Sequence, residues 1–283
     1  MRPRARASDV PLAAVLGSPI AHSLSPVLHE AGYAAVGLTG WRYGRQEVTQ
    51  PQLVPFVAGL NADWRGLSLT MPLKEVAFEV ATSVSPLAVR ARAINTLVRR
   101  ADGGWDATNT DVAGLVEAVR QVEHGGRGMI LGSGATARSA LLALHELGIR
   151  DVDIAARNAG ATAELVELAA RLGVAARAIP LSSWAQDPAR LVISTLPPAG
   201  SEPAGDLLGE AGATVAGMTL LDVVYANWPT PLARAVAATG GTIISGLDML
   251  VHQAAAQFSL FTGVAAPVAA MMAAGRAAVA PAP

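Results

Sequence analysis

Lys74, in the stretch "SLTMPLKE" at 68–75, is the only lysine in the chain; the other 20 of its 21 basic residues are arginines. A guanidinium with a pKa above about 12 keeps its proton throughout, whereas an ammonium starts near about 10.4 and shifts with its surroundings. Lys74 is therefore either the one position that an arginine-rich composition left over or a proton-transfer group. Other polar residues stand where apolar runs end. Ser23 and Ser25 sit just before Pro26 in "AHSLSP", either as caps of the helix that follows or as ligand hydroxyls, and capping needs only one of them. Thr70 closes the run "GLSLT", Asn95 lies in "AINT", and Asp111 in "TNTD" reads as the cap of a following helix or as a carboxylate partner for Lys74. Hydroxyls, an amide, an ammonium and a carboxylate suit a small polyhydroxylated acid. Beside a hydride donor, a Lys–Asp pair has a definite chemistry: the ammonium protonates the oxygen that hydride arrival turns into an alkoxide, and the carboxylate positions it. In reverse the pair removes the hydroxyl proton.

A hydride donor needs a nucleotide site, and "LGSGATARSA" supplies its pattern. Gly132-x-Gly134-x-x-Ala137 directly follows an apolar run at 128–131 and opens a helix. Gly132, Ser133, Gly134 and Ala135 would bring backbone N–H groups to a pyrophosphate at the helix start. The next strand ends in "DIAARN", with Arg157 where NAD sites carry an acid for the ribose hydroxyl, so NADP is favoured. Asp153 lies inside that strand and is badly placed for a ribose.

The elements that must position these residues fall into two series of short apolar strands alternating with helical patterns, which argues for βα units and parallel sheets. The first has strands at 13–17, around 41–48 and at 66–70, helices after Pro26, Pro51 and Pro72, and a hairpin around Asp102-Gly103. This reading puts Lys74 in the first turn of a helix. The second has strands at 128–131, 151–156, 174–179, 190–195, 218–224 and 241–246. A helix at about 111–122 connects the two, and helices at about 247–262 and 267–278 close the chain. The expected fold is a two-domain α/β protein: an amino-terminal α/β substrate domain, a Rossmann-like NADP-binding domain, and a cleft between them that closes when ligands bind. The domains are expected at 1–110, completed by 247–283, and at 111–246.

Composition narrows the function. With 52% hydrophobic and 15% charged residues, 283 residues build a substantial core. A net charge of −1, with basic residues clustered only at Arg2, Arg4 and Arg6, argues against a nucleic-acid partner. Without cysteine there is no disulfide, thiolate catalysis or Cys-ligated metal. His22 and His29 lie about two helical turns apart with no acid in register, and no metal site is expected. The amino-terminal apolar stretch is broken by Gly17 and Pro19, and no run reaches the roughly 20 apolar residues of a membrane span. A cytoplasmic protein with no membrane partner, monomeric or homodimeric, is expected.

The motifs "GSPIAHSLSPVLH", "LTMPLKE", "AINTLV", "TNTDVAG", "LGSGATA", "DVVYANWPTPL" and "SGLDMLVHQA" follow one another as they do in the shikimate dehydrogenase family, which the whole chain resembles. The resemblance implies the NADPH-dependent, reversible reduction of 3-dehydroshikimate to shikimate. It makes Lys74 and Asp111 the catalytic pair, with Ser23, Ser25, Thr70 and Asn95 on the substrate's carboxylate and hydroxyls. It adds Gln253 from a carboxy-terminal helix, Tyr225 on the substrate side, and Gly246 against the nicotinamide. Two stretches depart from the family's habit. Ser68-Leu69-Thr70 stands where Asn-Val-Thr is common, and Ala156-Arg157-Asn158 where Asn-Arg-Thr is common. The alternatives are an NAD-dependent quinate/shikimate dehydrogenase and a non-catalytic sensor of metabolite and nucleotide.

Overall fold

The computed structural model describes residues 10–212 and 215–280; the Arg2, Arg4, Arg6 tip lies outside them. The chain divides into two compact units, Met1–Thr110 with Ala254–Pro283, and Asp111–Gln253. The expected division at 246/247 moves into the body of a helix, between Gln253 and Ala254.

In the first unit, β1 (Leu12–Gly17) leads through α1 (Ser25–Ala35) to β2 (Arg42–Glu47), then through α2 (Leu53–Ala58) to β3 (Trp64–Leu69). A two-residue strand β4 (Ser83–Val84), α3 (Pro86–Ala91), β5 (Thr96–Arg99) and β6 (Trp105–Thr108) complete the series. The strand order is β2-β1-β3-β5-β6-β4. The sheet is mixed rather than parallel, because β5 runs antiparallel to both β3 and β6. The β5–β6 hairpin makes a mixed sheet unavoidable, since a short turn joins only antiparallel strands and one of the two must run against β3; here it is β5. α3 has local signals in Pro86 at its first position and in Ser85, whose Oγ accepts the Ala88 N–H at 3.1 Å. One core holds Leu16, Leu53, Leu67, Leu73, Ile94, Leu97 and Trp105. On the other side of the sheet a Cβ at Gly66 would collide with the Phe261 ring, and one at Gly32 with Phe258, so the chain's end packs on strand and helix alike.

In the second unit, α4 (Asp111–Val119) precedes β7 (Arg127–Leu131), α5 (Ala135–Glu146), β8 (Asp151–Ala156), α6 (Ala159–Arg171) and β9 (Ala175–Pro180). There follow β10 (Leu191–Ser194), α7 (Pro198–Ala211), β11 (Thr219–Asp222), α8 (Pro231–Ala238) and β12 (Thr242–Ser245). All pairings are parallel, in the order β12-β11-β10-β7-β8-β9. Helices cover both faces of such a sheet, so β7 after Arg127 and β10 up to Ser194 carry no charged residue and are buried. α9 (Gly246–Thr262) begins in this unit and ends in the first, and α10 (Val268–Val279) belongs to the first. The core surrounds the fully buried Trp184, whose Nε1 donates to the Ala204 carbonyl at 3.0 Å.

Candidate active site

Strand direction collects the polar residues of the first unit at one sheet edge. β1 and β3 both end there, leaving Ser23 and Ser25 just after β1 and Thr70 just after β3. Thr70 N–H donates to the Leu16 carbonyl at 2.9 Å, and a Cβ at Gly17 would strike the Thr70 methyl, so the two strand ends are pressed together. Because β5 is reversed, its beginning, not its end, lies at this edge. Leu69 N–H donates to the Asn95 carbonyl at 2.8 Å, and Asn95 N–H to the Thr108 carbonyl at the end of β6 at 3.2 Å.

Lys74 does not lie in a helix. The segment from Met71 turns repeatedly before a short 3₁₀ helix at Val76–Glu79. The reason is long-range. The Lys74 carbonyl, which a helix would offer to a residue one turn on, accepts the Ile94 N–H at 2.8 Å from the segment entering β5. The Leu73 N–H meanwhile donates to the Thr70 carbonyl at 2.8 Å. Lys74 is thereby tied by its backbone to the same edge as Thr70 and Asn95, and it is half-buried.

Asn95 is buried and held on all sides. Its Oδ1 accepts from Thr110 N at 2.8 Å and from Thr96 Oγ1 at 2.7 Å, while its Nδ2 donates to Thr110 Oγ1 at 3.0 Å. Asp111 follows Thr110 directly and is the first residue of α4, where the free N–H groups and the helix dipole favour a carboxylate. Of the two serines, Ser23 Oγ accepts the Ser25 N–H at 3.3 Å and no side chain caps α1; Ser25 is buried and hydrogen bonded to Tyr43. Gln257 carries no signal of its own beyond a polar residue in the apolar run "AAAQFSLF". Its Nε2 donates to the Asn95 carbonyl at 3.0 Å and to Thr96 Oγ1 at 2.9 Å.

In the second unit a pocket of about 490 Å³ opens at the carboxyl ends of β7, β8, β9 and β10. Gly132, Ser133 and Gly134 line it after β7; Ala156, Arg157 and Asn158 after β8; Leu181 after β9; and Thr195, Leu196 and Pro197 after β10. β7 and β10 flank the point where the strand order reverses, the usual place for a ligand in such sheets. Gly132 has φ +109°, and a Cβ there would lie 2.6 Å from Thr195 Oγ1, so no other residue type fits. A Cβ at Gly134 meets nothing, which leaves the start of α5, at Ala135, open to a ligand. Arg157 is exposed at the rim, while Asn158 caps α6 by accepting the Ala161 N–H at 3.1 Å. A phosphate-rich dinucleotide matches this donor set: backbone N–H groups at a helix start, and one guanidinium where a ribose acid would repel a phosphate.

Asp153 is committed elsewhere. Its buried carboxylate accepts from Arg177 Nε at 2.8 Å and from Arg127 Nε at 3.0 Å. Burial raises the group, but the hydrogen bonds and charges of both arginines outweigh it and hold its pKa below the usual carboxylate value.

Gly246, Tyr225 and Gln253 also lie in the second unit. Gly246 opens α9 so close to Val223 that a Cβ would lie 2.1 Å from that carbonyl oxygen, a local reason for glycine. Tyr225 is half-buried in the loop after β11. That loop is braced by the buried Asp222, which accepts from Thr230 Oγ1 at 2.7 Å and from the Val224 N–H at 3.3 Å; burial raises its pKa against both bonds. Gln253 is buried, with its Nε2 donating to the Leu250 carbonyl at 3.2 Å. Among the described residues no group of acids and histidines is placed to hold a metal, and no helix is long and apolar enough to cross a membrane.

Comparison with known proteins adds the family. Residues 15–97 match a family model described as the shikimate dehydrogenase substrate binding domain. Residues 246–274 match one described as the shikimate 5'-dehydrogenase C-terminal domain. A shikimate dehydrogenase (NADP(+)) of Synechococcus sp. is 35% identical over 89% of this chain and 90% of its own length. The crystal structure of Mycobacterium tuberculosis shikimate dehydrogenase is 43% identical, with a TM-score of 0.86 over 94% of this chain and 99% of that one. A Thermus thermophilus shikimate 5-dehydrogenase, solved with NADP(H) and shikimate, is 30% identical, with a TM-score of 0.80 over 95% of this chain and 99% of that one.

Proposed function

The chain belongs to the shikimate dehydrogenase family, and from this we propose that it catalyses the reversible NADPH-dependent reduction of 3-dehydroshikimate to shikimate, on the route to the aromatic amino acids. The observation that carries the reading at the level of residues is the sheet edge of the first unit. There Thr70, Lys74 and Asn95 are gathered by backbone bonds between β1, β3, β5 and β6.

The second unit would hold the cofactor. Backbone N–H groups of Gly132, Ser133, Gly134 and Ala135 would face the pyrophosphate and Arg157 the 2′-phosphate, and Gly246 at the start of α9 would meet the nicotinamide. The reduced nicotinamide supplies the hydride. Lys74 holds the proton that the substrate's carbonyl oxygen takes up, and Asp111 orients its ammonium; in the oxidising direction the uncharged amine accepts the hydroxyl proton. Ser23, Ser25, Thr70 and Asn95 hold the carboxylate and hydroxyls, with Gln253 and Tyr225 completing the substrate side. We place the enzyme in the cytoplasm as a monomer or homodimer.

The test is spectrophotometric. Purified protein receives shikimate or quinate with NADP⁺ or NAD⁺, and reduced cofactor is followed in all four combinations. Turnover is expected with shikimate and NADP⁺ above the other three. Preference for quinate and NAD⁺ would make the chain a quinate/shikimate dehydrogenase, and silence in all four would leave a sensor.

A further inference from the structure

One set of buried side chains lies behind the sheet edge rather than on it. Tyr43, Ser68, Gln257, Thr96 and Asn95 form a continuous hydrogen-bonded series, and all five are buried. Tyr43 Oη meets Ser68 Oγ at 2.6 Å, Ser68 Oγ meets Gln257 Oε1 at 2.8 Å, Gln257 Nε2 meets Thr96 Oγ1 at 2.9 Å, and Thr96 Oγ1 meets Asn95 Oδ1 at 2.7 Å.

Backbone groups at two points fix the direction of every bond in the series. Gln257 also faces the Asn95 carbonyl, which only accepts, so the atom there is the amide nitrogen and the one facing Ser68 is the oxygen. Ser68 must then donate to Gln257, which leaves it to accept from the Tyr43 phenol. Burial raises the phenol's pKa, so it keeps the proton that it donates. At the other end Asn95 faces the Thr110 N–H, which only donates, so the atom there is Oδ1. Thr96, accepting from Gln257, donates to that same oxygen. Asn95 Oδ1 is thus engaged from two sides, and its NH₂, which gives one proton to Thr110 Oγ1 at 3.0 Å, is turned the other way.

We propose that Tyr43, Ser68 and Gln257 are positioning residues which, through Thr96, fix the Asn95 side chain so that it meets the substrate as a hydrogen-bond donor. The proposal rests on the reading that Asn95 holds a substrate hydroxyl. It also gives a physical role to Ser68, at a position where the family often carries asparagine. The serine hydroxyl both accepts and donates over a short reach, and so closes the gap between a tyrosine on β2 and a glutamine on α9. Removing it leaves the Gln257 amide oxygen without its Ser68 donor and the Tyr43 phenol with Ser25 alone of its two hydroxyl partners, so the series is cut between β2 and α9.

Two measurements test this. In steady-state kinetics Ser68→Ala and Tyr43→Phe each raise KM for shikimate about tenfold, the equivalent of one lost buried hydrogen bond, while KM for NADP⁺ stays within about twofold of wild type. Against an Asn95→Ala background Ser68→Ala adds less than about twofold, because the residue it acts through is gone. A full tenfold loss in that background, in protein whose thermal melting is unchanged, overturns the proposal. The second measurement does not depend on turnover. Side-chain amide resonances of Asn95 and Gln257 in a ¹⁵N spectrum, assigned from their loss in Asn95→Ala and Gln257→Ala, should shift in both Ser68→Ala and Tyr43→Phe. If the Asn95 pair stays in place the relay does not reach it and the proposal fails. If the resonances shift but wild type leaves shikimate untouched, the relay stands and it is the assigned substrate that is wrong.

Discussion

The imidazole of His29 lies face to face with the phenol ring of Tyr43, centroids 3.9 Å apart and planes 10° from parallel. Neither ring nitrogen of His29 has a hydrogen-bond partner among the described residues, and burial lowers its pKa from 6.5 to about 3. A histidine whose folded pKa lies below its unfolded one favours folding above the unfolded value, and that support is lost as pH falls towards the folded value. From pH 7 to pH 5 the single group costs about 2 kcal/mol. His29→Phe keeps the stack and removes the titration. The fall in urea-unfolding stability from pH 7 to pH 5 should shrink by about 2 kcal/mol in this variant. An unchanged pH dependence would mean that His29 is not held neutral in the fold.

Lys74→Arg retains the charge but not the exchangeable proton. Turnover of shikimate should fall by a factor of about 10² to 10⁴, the range of one general acid–base group, with KM within about threefold. Near-normal kcat would remove Lys74 from proton transfer.

Arg157→Ala takes the guanidinium from the rim of the pocket. A charge-assisted bond to phosphate contributes about 1.5–3 kcal/mol, so KM for NADP⁺ should rise about tenfold or more while NAD⁺, which lacks the 2′-phosphate, is used as before. Equal losses with both cofactors would show that Arg157 does not read the phosphate.

Gly132→Ala puts a Cβ where φ is +109° and Thr195 Oγ1 is 2.6 Å away, displacing the hydroxyl from its 2.9 Å bond to the Leu131 carbonyl. A loss of about 1–3 kcal/mol in unfolding free energy is expected, together with weaker NADP⁺ binding by fluorescence titration. A variant as stable as wild type would show that this turn has room to relax.

The second unit was the more legible in the sequence, because each of its βα units is local and its glycine turn is built into the strand and helix on either side. The first unit yielded less. Nothing near Thr96 says that β5 runs backwards beside β3; the hairpin requires only that β5 and β6 oppose each other, and which of them opposes β3 is set by pairing with a strand about 30 residues earlier in the chain. Pro72 looks like the start of a helix, but the Ile94 N–H takes the Lys74 carbonyl, and long-range pairing overrides the local signal. Gln257 stayed hidden for a related reason, since a buried glutamine in an apolar helix gives no sign of its partners. The residues proposed to carry proton chemistry are distinctive by type, whereas the side chains bonded behind them show only in the fold.

The reversal of β5 also decides where the molecule tolerates change. With β5 starting beside Thr70 and Asn95, the hairpin turn at Asp102-Gly103 falls at the opposite edge of the sheet, and the turn residues 101–103 are exposed. An epitope or fluorophore spliced in at 102–103 would report on the first unit from the edge opposite Thr70 and Asn95, a ready attachment point for immobilising or labelling the protein away from its candidate site.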